Sequence, residues 1–237
     1  MSVLVIIAIV ISQWYYKDIN NSIDPRVAPA RELYKNYNRY AELNNFDSIL
    51  ILMDSIESIY SAIPHYRNGF EVGVLYNNRA ASWLTIALYS EIRDSLERDS
   101  LIHLAESAIA TSLDMYASWS RIYSDLEKDE VDSLLQFDFL KGLERYSEDD
   151  QKKYLGNRVQ EIIETQSEID RRISVSYTNR GIVYRYHEQY DSAVNSYIKA
   201  LELWDRNLTA ENNLNILLGQ PVKKRNVIQR MFPPDRL

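Results

Sequence analysis

The chain has 237 residues, enough for one or two domains, and 46% of them are hydrophobic, which is normal for a folded protein. It holds no cysteine, which excludes disulfides, thiolate nucleophiles and cysteine-ligated metals, and its six glycines and six prolines leave few turns for a sheet. The formal charge is −7; residues 220–237 hold five basic side chains and one acidic, or +4, so residues 1–219 carry −11, which argues against a nucleic-acid surface.

The N-terminal segment is apolar. Residues 3–11 read VLVIIAIVI, residues 2–16 carry no charge, and an aromatic Trp-Tyr-Tyr group precedes Lys17, as at a membrane interface. Fifteen uncharged residues are fewer than the roughly 20 of a usual spanning helix. Either Lys17 reaches the interface by snorkelling, or the natural chain begins further upstream. The sequence predicts a transmembrane anchor at residues 1–17 and a polar linker at residues 18–29.

Two other interpretations of this segment stay open, a cleaved signal peptide and a buried strand or helix. A signal peptide would carry a basic leader and a nearby A-x-A cleavage site, and both are missing. The positive-inside rule counts the basic residues that flank the anchor. Lys17, Arg26 and Arg31 follow it, which weakly favours a cytoplasmic body.

A first pair of helices is predicted after the linker. Residues 30–43 and residues 46–60 each repeat apolar side chains at helical spacing, with a short polar break between them. Pro64 ends this pair. The inner positions are Leu33, Tyr37 and Tyr40 in the first helix, and Ile49, Met53, Ile56 and Tyr60 in the second.

A second, looser pair follows. Its first helix contains residues 76–83, its second helix is predicted at residues 102–116, and a loop around residues 93–100 joins them. Residues 119–172 show no matching repeat. Within them, Ser147 has the spacing of a capping box and predicts the start of a helix that runs into the next hairpin.

Residues 174–204 carry the clearest pattern, two helices folded back on each other. Tyr177, Gly181 and Tyr184 share one face of the first helix, and a glycine there is tolerated where another helix approaches closely. After a polar break, the second helix is predicted to begin near Tyr190, with Asp191 or Ser192 as its N-cap. Its inner positions are Ala193, Tyr197, Ala200, Leu201 and Trp204.

This hairpin resembles the tetratricopeptide repeat, a helix–turn–helix unit of 34 residues. Tyr177 replaces one signature aromatic with another, while Arg180 and Asp205 depart from the family pattern. The resemblance covers residues 174–207, and residues 208–219 look like a capping helix that ends at Gly219. The positions that match well are Gly181, Tyr184, Ala193, Tyr197 and Ala200.

Because one repeat cannot bury its own apolar face, the resemblance implies about three or more units. Residues 76–80 echo residues 177–181, and residues 46–49 echo residues 190–193. We therefore expect an all-α protein: antiparallel helix hairpins in a tetratricopeptide-like right-handed superhelix over residues 30–219. The alternative is a plain helical bundle with one accidental repeat-like hairpin.

Motifs for catalysis, metals and cofactors are missing from the sequence. His65, His103 and His187 are far apart and lie outside any H-E-x-x-H motif. There is no G-x-S-x-G, P-loop or dinucleotide fingerprint. The sequence therefore predicts no catalytic residue, no metal site and no cofactor, and indicates a binding protein rather than an enzyme.

The resemblance implies a concave groove lined by the first helix of each repeat. The groove positions are Asn78 and Asn179, with Asn213 in phase on the capping helix and Arg185 and Tyr186 on the same lining. An asparagine can pair with the backbone of a bound peptide through both its donor and its acceptor. The alternative is that these asparagines satisfy the backbone of the neighbouring repeat.

We expect a membrane-tethered scaffold that binds a partner protein on this surface, in a bacterial envelope complex. Membrane-anchored proteins of this family in the bacterial periplasm favour an extracytoplasmic body, against the weak charge argument. The basic tail, residues 220–237, is either a disordered terminus or a contact for anionic lipid or an acidic partner. The alternative function is a small-ligand sensor or carrier with a helical pocket.

Overall fold

A computed structural model describes residues 22–90 and 94–224 of the chain. Over these ranges the protein forms helices and no strand, which confirms the all-α prediction for that part of the chain. The helices are α1 (Ala28–Glu42), α2 (Phe46–Ser61), α3 (Pro64–Arg67), α4 (Phe70–Tyr89), α5 (Ser95–Tyr123), α6 (Lys128–Phe139), α7 (Glu148–Tyr186), α8 (Tyr190–Leu203) and α9 (Leu208–Leu217).

The predicted anchor at residues 1–17 lies outside the described residues, as does the tail beyond residue 224. Among the helices from α1 to α9, none combines the length and the apolar character needed to cross a membrane. The anchor therefore stays a prediction from the sequence.

Three antiparallel hairpins form most of the fold: α1 with α2, α4 with α5, and α7 with α8. The first and third have the same connection. Asn44 and Glu188 each take a positive φ, 53° and 58°, and the following N–H returns to a carbonyl five residues back in a Schellman-type turn. Both bonds measure 2.9 Å; they run from Asn45 N to Tyr40 O and from Gln189 N to Tyr184 O.

Glycines allow two of the hairpins to close tightly. A Cβ on Gly181 would lie 2.4 Å from the ring of Tyr197, and a Cβ on Gly73 would lie 2.6 Å from the ring of Tyr116. Both tyrosines are buried. The close approach at Gly181 is the one that the sequence pattern predicts, whereas the equivalent role of Gly73 was missed.

The core consists of two apolar clusters that share α4, α5 and α7. The larger cluster joins α1 to α3 and α6 with the start of α4, the end of α5 and the first part of α7. The smaller cluster joins the end of α4, the start of α5 and the end of α7. A buried polar network lies where α7 crosses α4 and α5. Its bonds are Ser112 Oγ to Gly73 O, 2.8 Å; Ser112 Oγ with Ser176 Oγ, 3.1 Å; Ser176 Oγ to Asn77 Oδ1, 3.0 Å; and Asn179 Nδ2 to Asn77 Oδ1, 2.9 Å.

One predicted connection is wrong, and at another the structure adds a short helix. The helix predicted at residues 102–116 is α5, which begins at Ser95, so most of the loop expected around residues 93–100 is helical. Asp94 is its N-cap and accepts a 2.9 Å bond from Leu96 N. Pro64 does not only end a pair of helices; it opens the four-residue α3, where its missing N–H costs nothing.

The 174–204 hairpin also differs from its prediction. Its first helix is the last third of α7, a continuous helix of 39 residues. As predicted, that helix begins at Ser147, whose hydroxyl accepts a 3.2 Å bond from Asp150 N. Neither Asp191 nor Ser192 caps α8: the N-cap is Gln189, which makes no side-chain cap bond, because the Schellman-type turn already fixes this helix start.

Candidate functional site

The five predicted groove residues fall into separate places. Arg185 on α7 and Asn213 on α9 meet, with 3.0 Å between Arg185 Nη1 and Asn213 Oδ1. Asn213 also donates to the carbonyl of Thr209 at 2.9 Å. These two residues therefore tie the end of the third hairpin to the last helix.

The other three predicted residues bond elsewhere. The Tyr186 hydroxyl donates to Asp99 at 2.6 Å, and this hydrogen bond to a carboxylate raises the pKa of Tyr186. Asn78 donates to the Tyr34 hydroxyl on α1. Asn179 is buried in the polar network, so its side chain bonds another side chain rather than a neighbouring backbone. The structure does not bring the five residues together into one groove.

A different asparagine shows the chemistry that the sequence suggested. After α9, residues 220–224 turn back along that helix in a non-helical conformation. Asn212 Oδ1 accepts from Lys223 N at 2.7 Å, and Asn212 Nδ2 donates to Lys223 O at 3.0 Å. One side-chain amide thus satisfies both backbone groups of one residue, as it would for a bound peptide.

Two further contacts hold the same segment. Glu211 forms an ion pair with the ammonium group of Lys223. Asn215 Nδ2 lies 3.4 Å from the carbonyl of Pro221, a long hydrogen bond. We call the face of α9 formed by Glu211, Asn212 and Asn215 the amide face.

Local sequence explains why the chain reverses here. Gly219 has a φ of +68°, and Gln220 N donates to Asn215 O at 2.7 Å, which repeats the turn found after Tyr40 and Tyr184. In those two turns a helix follows. Here Pro221 disfavours the helical region for the residue before it, so the chain runs back along α9 and forms no further helix up to residue 224.

The amide face was not predicted from the sequence, because the groove residues were chosen by their positions relative to the tetratricopeptide repeat pattern. The available signal was the run Glu-Asn-Asn-Leu-Asn at residues 211–215, followed by Gly-Gln-Pro at residues 219–221. Asn212 and Asn215 are three residues apart and so share one helix face, while Asn213 is turned by about 100° from Asn212.

Among the residues the structure describes, no three His, Asp or Glu side chains converge as a metal ion would require. No protein-family model, no curated protein and no solved structure matches this chain.

Proposed function

We propose that this protein is a membrane-tethered interaction scaffold, which holds an extended segment of a partner protein on the amide face of α9. In this proposal the hairpins form a tetratricopeptide-like right-handed superhelix, residues 1–17 anchor it, and the body works in a bacterial envelope complex on the extracytoplasmic side.

The observation that carries the proposal is the pair of bonds between Asn212 and the backbone of Lys223. A side chain that bonds to backbone N–H and C=O groups recognises the conformation of the bound segment and not its side chains. An extended segment of any sequence can therefore make these two bonds. The chain's own segment occupies the amide face in this structure, and a partner segment would replace it.

Charge defines the kind of segment that fits. Glu211 pairs with a lysine in the occupied state, and residues 1–219 carry a formal −11. Complementary charge speeds encounter and disfavours acidic partners. The expected partner segment is extended and basic, with a Lys or Arg opposite Glu211.

Two features support a tetratricopeptide-like array. The turns after Tyr40 and Tyr184 have the same bonds, and two hairpins close on a glycine beneath a tyrosine ring. The helix lengths depart from the family: α5 has 29 residues and α7 has 39, each close to or beyond a whole 34-residue repeat. The proposed superhelix is accordingly an irregular one.

A peptide-binding measurement tests the amide face. The probe is a fluorescein-labelled synthetic peptide that copies residues 219–237, added to a variant that ends at Leu218. We expect binding to this shortened chain, and about tenfold weaker binding after Asn212→Ala, which removes two hydrogen bonds. Asn38→Ala, an exposed asparagine on α1, is the matched control. Equal binding by the Asn212→Ala and Asn38→Ala proteins would sink the proposal.

A second experiment addresses the partner and the anchor. Tagged full chains are recovered from detergent-solubilised membranes of the source cells, as wild type, Asn212→Ala and Asn38→Ala. We expect a partner that co-purifies with wild type and Asn38→Ala and is lost with Asn212→Ala. Deletion of residues 1–17 should release the chain from the membrane fraction, and protection from external protease reports the side of the body. If the same proteins co-purify with wild type and with Asn212→Ala, the amide face is not the binding surface.

A further inference from the structure

A small cavity lies between α1, α2 and α4, far along the fold from the amide face. Its volume is about 190 Å³. For comparison, a cavity of about 150 Å³ holds a benzene molecule, so this one has room for a ring and a small polar group. The residues that line it are Arg31, Tyr34, Tyr60, Phe70, Glu71, Val74 and Leu75.

One side of the cavity is apolar. Phe70, Val74 and Leu75 project from consecutive turns of α4, where the helical spacing puts them on one face. The rings of Tyr34 and Tyr60 complete the walls from α1 and α2. Such walls suit a hydrocarbon or aromatic group.

The carboxylates at the cavity are already bound. Glu71 takes both terminal nitrogens of Arg158, which is 4% exposed and stacks over the Tyr66 ring at 4.3 Å. Burial alone would raise the pKa of Glu71, but the Arg158 guanidinium outweighs it and the net pKa is lowered. Glu161 binds Arg31 at 2.6 Å and Arg158 at 3.3 Å. A cationic ligand would find no uncommitted carboxylate here.

Donors, by contrast, are available. Tyr60 is 6% exposed, and its hydroxyl bonds to no other described residue. Tyr34 accepts from Asn78, which leaves its own proton free to donate. Arg31 pairs with Glu161 through Nη2 and with no other described residue, so further N–H donors of its guanidinium face no acceptor. Three side chains thus offer hydrogen-bond donors at one apolar cavity.

We propose that this cavity is a binding site for a small apolar monocarboxylate. The carboxylate accepts hydrogen bonds from Arg31, Tyr34 and Tyr60, and the apolar body packs against Phe70 and Val74. Arg31 and Glu71, which line the cavity, and their partners Glu161 and Arg158 sum to zero charge. The single charge of a monocarboxylate is therefore less costly there than the double charge of a phosphate dianion. The site is independent of the amide face, so either proposal can fail alone.

Calorimetric titration of the full chain tests the inference, with the chain in lipid nanodiscs and empty nanodiscs as the blank. Phenylacetate is the probe, and phenylacetamide is its neutral match in shape. We expect phenylacetate to bind with a Kd of about 1 mM or tighter, and the amide at least about tenfold more weakly, because it cannot supply a charged acceptor. No binding of phenylacetate, or equal binding of the two compounds, overturns the proposal.

Tyr60→Phe removes one donor and keeps the ring, so the fold is preserved. We expect it to weaken phenylacetate about tenfold and to leave phenylacetamide within about twofold. Tyr197→Phe is the matched control, since Tyr197 is also a buried tyrosine whose hydroxyl has no partner among the described residues. Thermal unfolding of both variants checks that each is folded. If Tyr60→Phe binds phenylacetate as tightly as wild type does, the Tyr60 hydroxyl does not bind the carboxylate, and the proposed site is wrong.

Discussion

At the scale of single residues, the two glycines of α7 have opposite surroundings. Gly181 lies under the Tyr197 ring, where an added Cβ would be 2.4 Å from a ring carbon, while Gly156 has nothing within 4 Å of the same position. The helix conformation is the same at both sites, so the effect of an alanine depends only on the space around it.

We therefore predict that Gly181→Ala and Gly156→Ala change stability in opposite directions. At residue 156, alanine should raise the free energy of unfolding by about 0.5–1 kcal/mol, because glycine is the poorer helix former. At residue 181, overpacking costs roughly 1–3 kcal/mol and exceeds that gain. Urea denaturation measures both values. A change of the same sign in the free energy of unfolding of the two variants contradicts the close approach of Gly181 to Tyr197.

His65 is a half-buried base whose ring contacts the Phe139 ring, with a centroid distance of 5.5 Å. Burial is the largest effect on its pKa, and the nearby charges of Arg158 and Arg26 add to it, against opposing effects of Asp138 and Glu71. The pKa of His65 is lowered to about 4. The folded protein thus keeps this side chain neutral where the unfolded chain, with a pKa near 6.5, takes up a proton.

We predict that this lowered pKa makes the protein lose stability as the pH falls from about 6.5 to about 4. The unfolded state binds the extra proton in that window, so the free energy of unfolding rises with pH there. His65→Gln should flatten this part of the stability–pH curve, whereas His103→Gln, at a residue with an 84% exposed side chain, should not. Chemical denaturation at a series of pH values gives the slopes. If the free energy of unfolding has the same slope against pH in His65→Gln and wild type, His65 is not the cause of the loss of stability.

At the scale of elements, one residue joins α7 to α9. Asn207 is the N-cap of α9, with a 3.0 Å bond from Ala210 N. Its amide also donates to Ser174 Oγ at 2.8 Å and to Thr178 Oγ1 at 2.9 Å, all in a buried setting. A short turn residue thus caps one helix and satisfies two hydroxyls on another.

Asn207→Ala should therefore lower the free energy of unfolding by more than the loss of an ordinary helix cap. We predict a loss of about 2–4 kcal/mol, the sum of a cap and of unsatisfied buried groups. Asn45→Ala is the comparison: Asn45 caps α2 from an exposed position, with a 3.2 Å bond from Ser48 N, and should cost about 1 kcal/mol. Equilibrium unfolding compares the two. Equal losses would mean that the bonds to α7 contribute nothing.

Sequence periodicity predicted single helices well and their junctions poorly. Residues 30–43 and 208–219 were predicted within about two residues of α1 and α9, because their apolar spacing is regular. The helix start at Ser147 followed from its cap. α6 was not predicted, since it lies in a stretch without a repeat pattern. The start of α5 was misplaced because its first turns expose their side chains and carry no apolar period.

Tertiary contacts explain what was missed at the sites. The bond between Asn179 and Asn77 spans 102 residues, and the tie between Arg158 and Glu71 spans 87, so no local pattern contains them. The amide face depends on the chain reversal after Gly219, and the sequence shows this reversal only as the end of a helix.

At the scale of the whole molecule, α4, α5 and α7 each contribute side chains to both apolar clusters. In α7, Leu155, Val159, Ile162 and Ile169 belong to the larger cluster, and Val183 belongs to the smaller one. Because both clusters are packed on the same three helices, their unfolding should be coupled.

A proline in α7 tests this coupling. Asp170 is exposed and lies between Ile169 and Val183. We predict that Asp170→Pro lowers the free energy of unfolding by about 3 kcal/mol or more, while unfolding stays a single transition because α4 and α5 still join the clusters. Glu148→Pro, at the first position of the same helix, should be nearly neutral because no hydrogen bond is lost there. Scanning calorimetry measures both effects. Two separate transitions in Asp170→Pro would mean that α7 alone couples the clusters.

If the amide face binds partner segments as proposed, the turn at Gly219 also sets a threshold for their binding. A segment joined to α9 by one turn reaches the amide face at an effective concentration in the millimolar range, since it never diffuses away. A separate partner at micromolar concentration starts roughly a thousandfold behind. In the proposed function, only a segment with additional contacts, or one concentrated at the same membrane, would displace it. The reversal of the chain would then exclude weak, incidental peptides from the amide face.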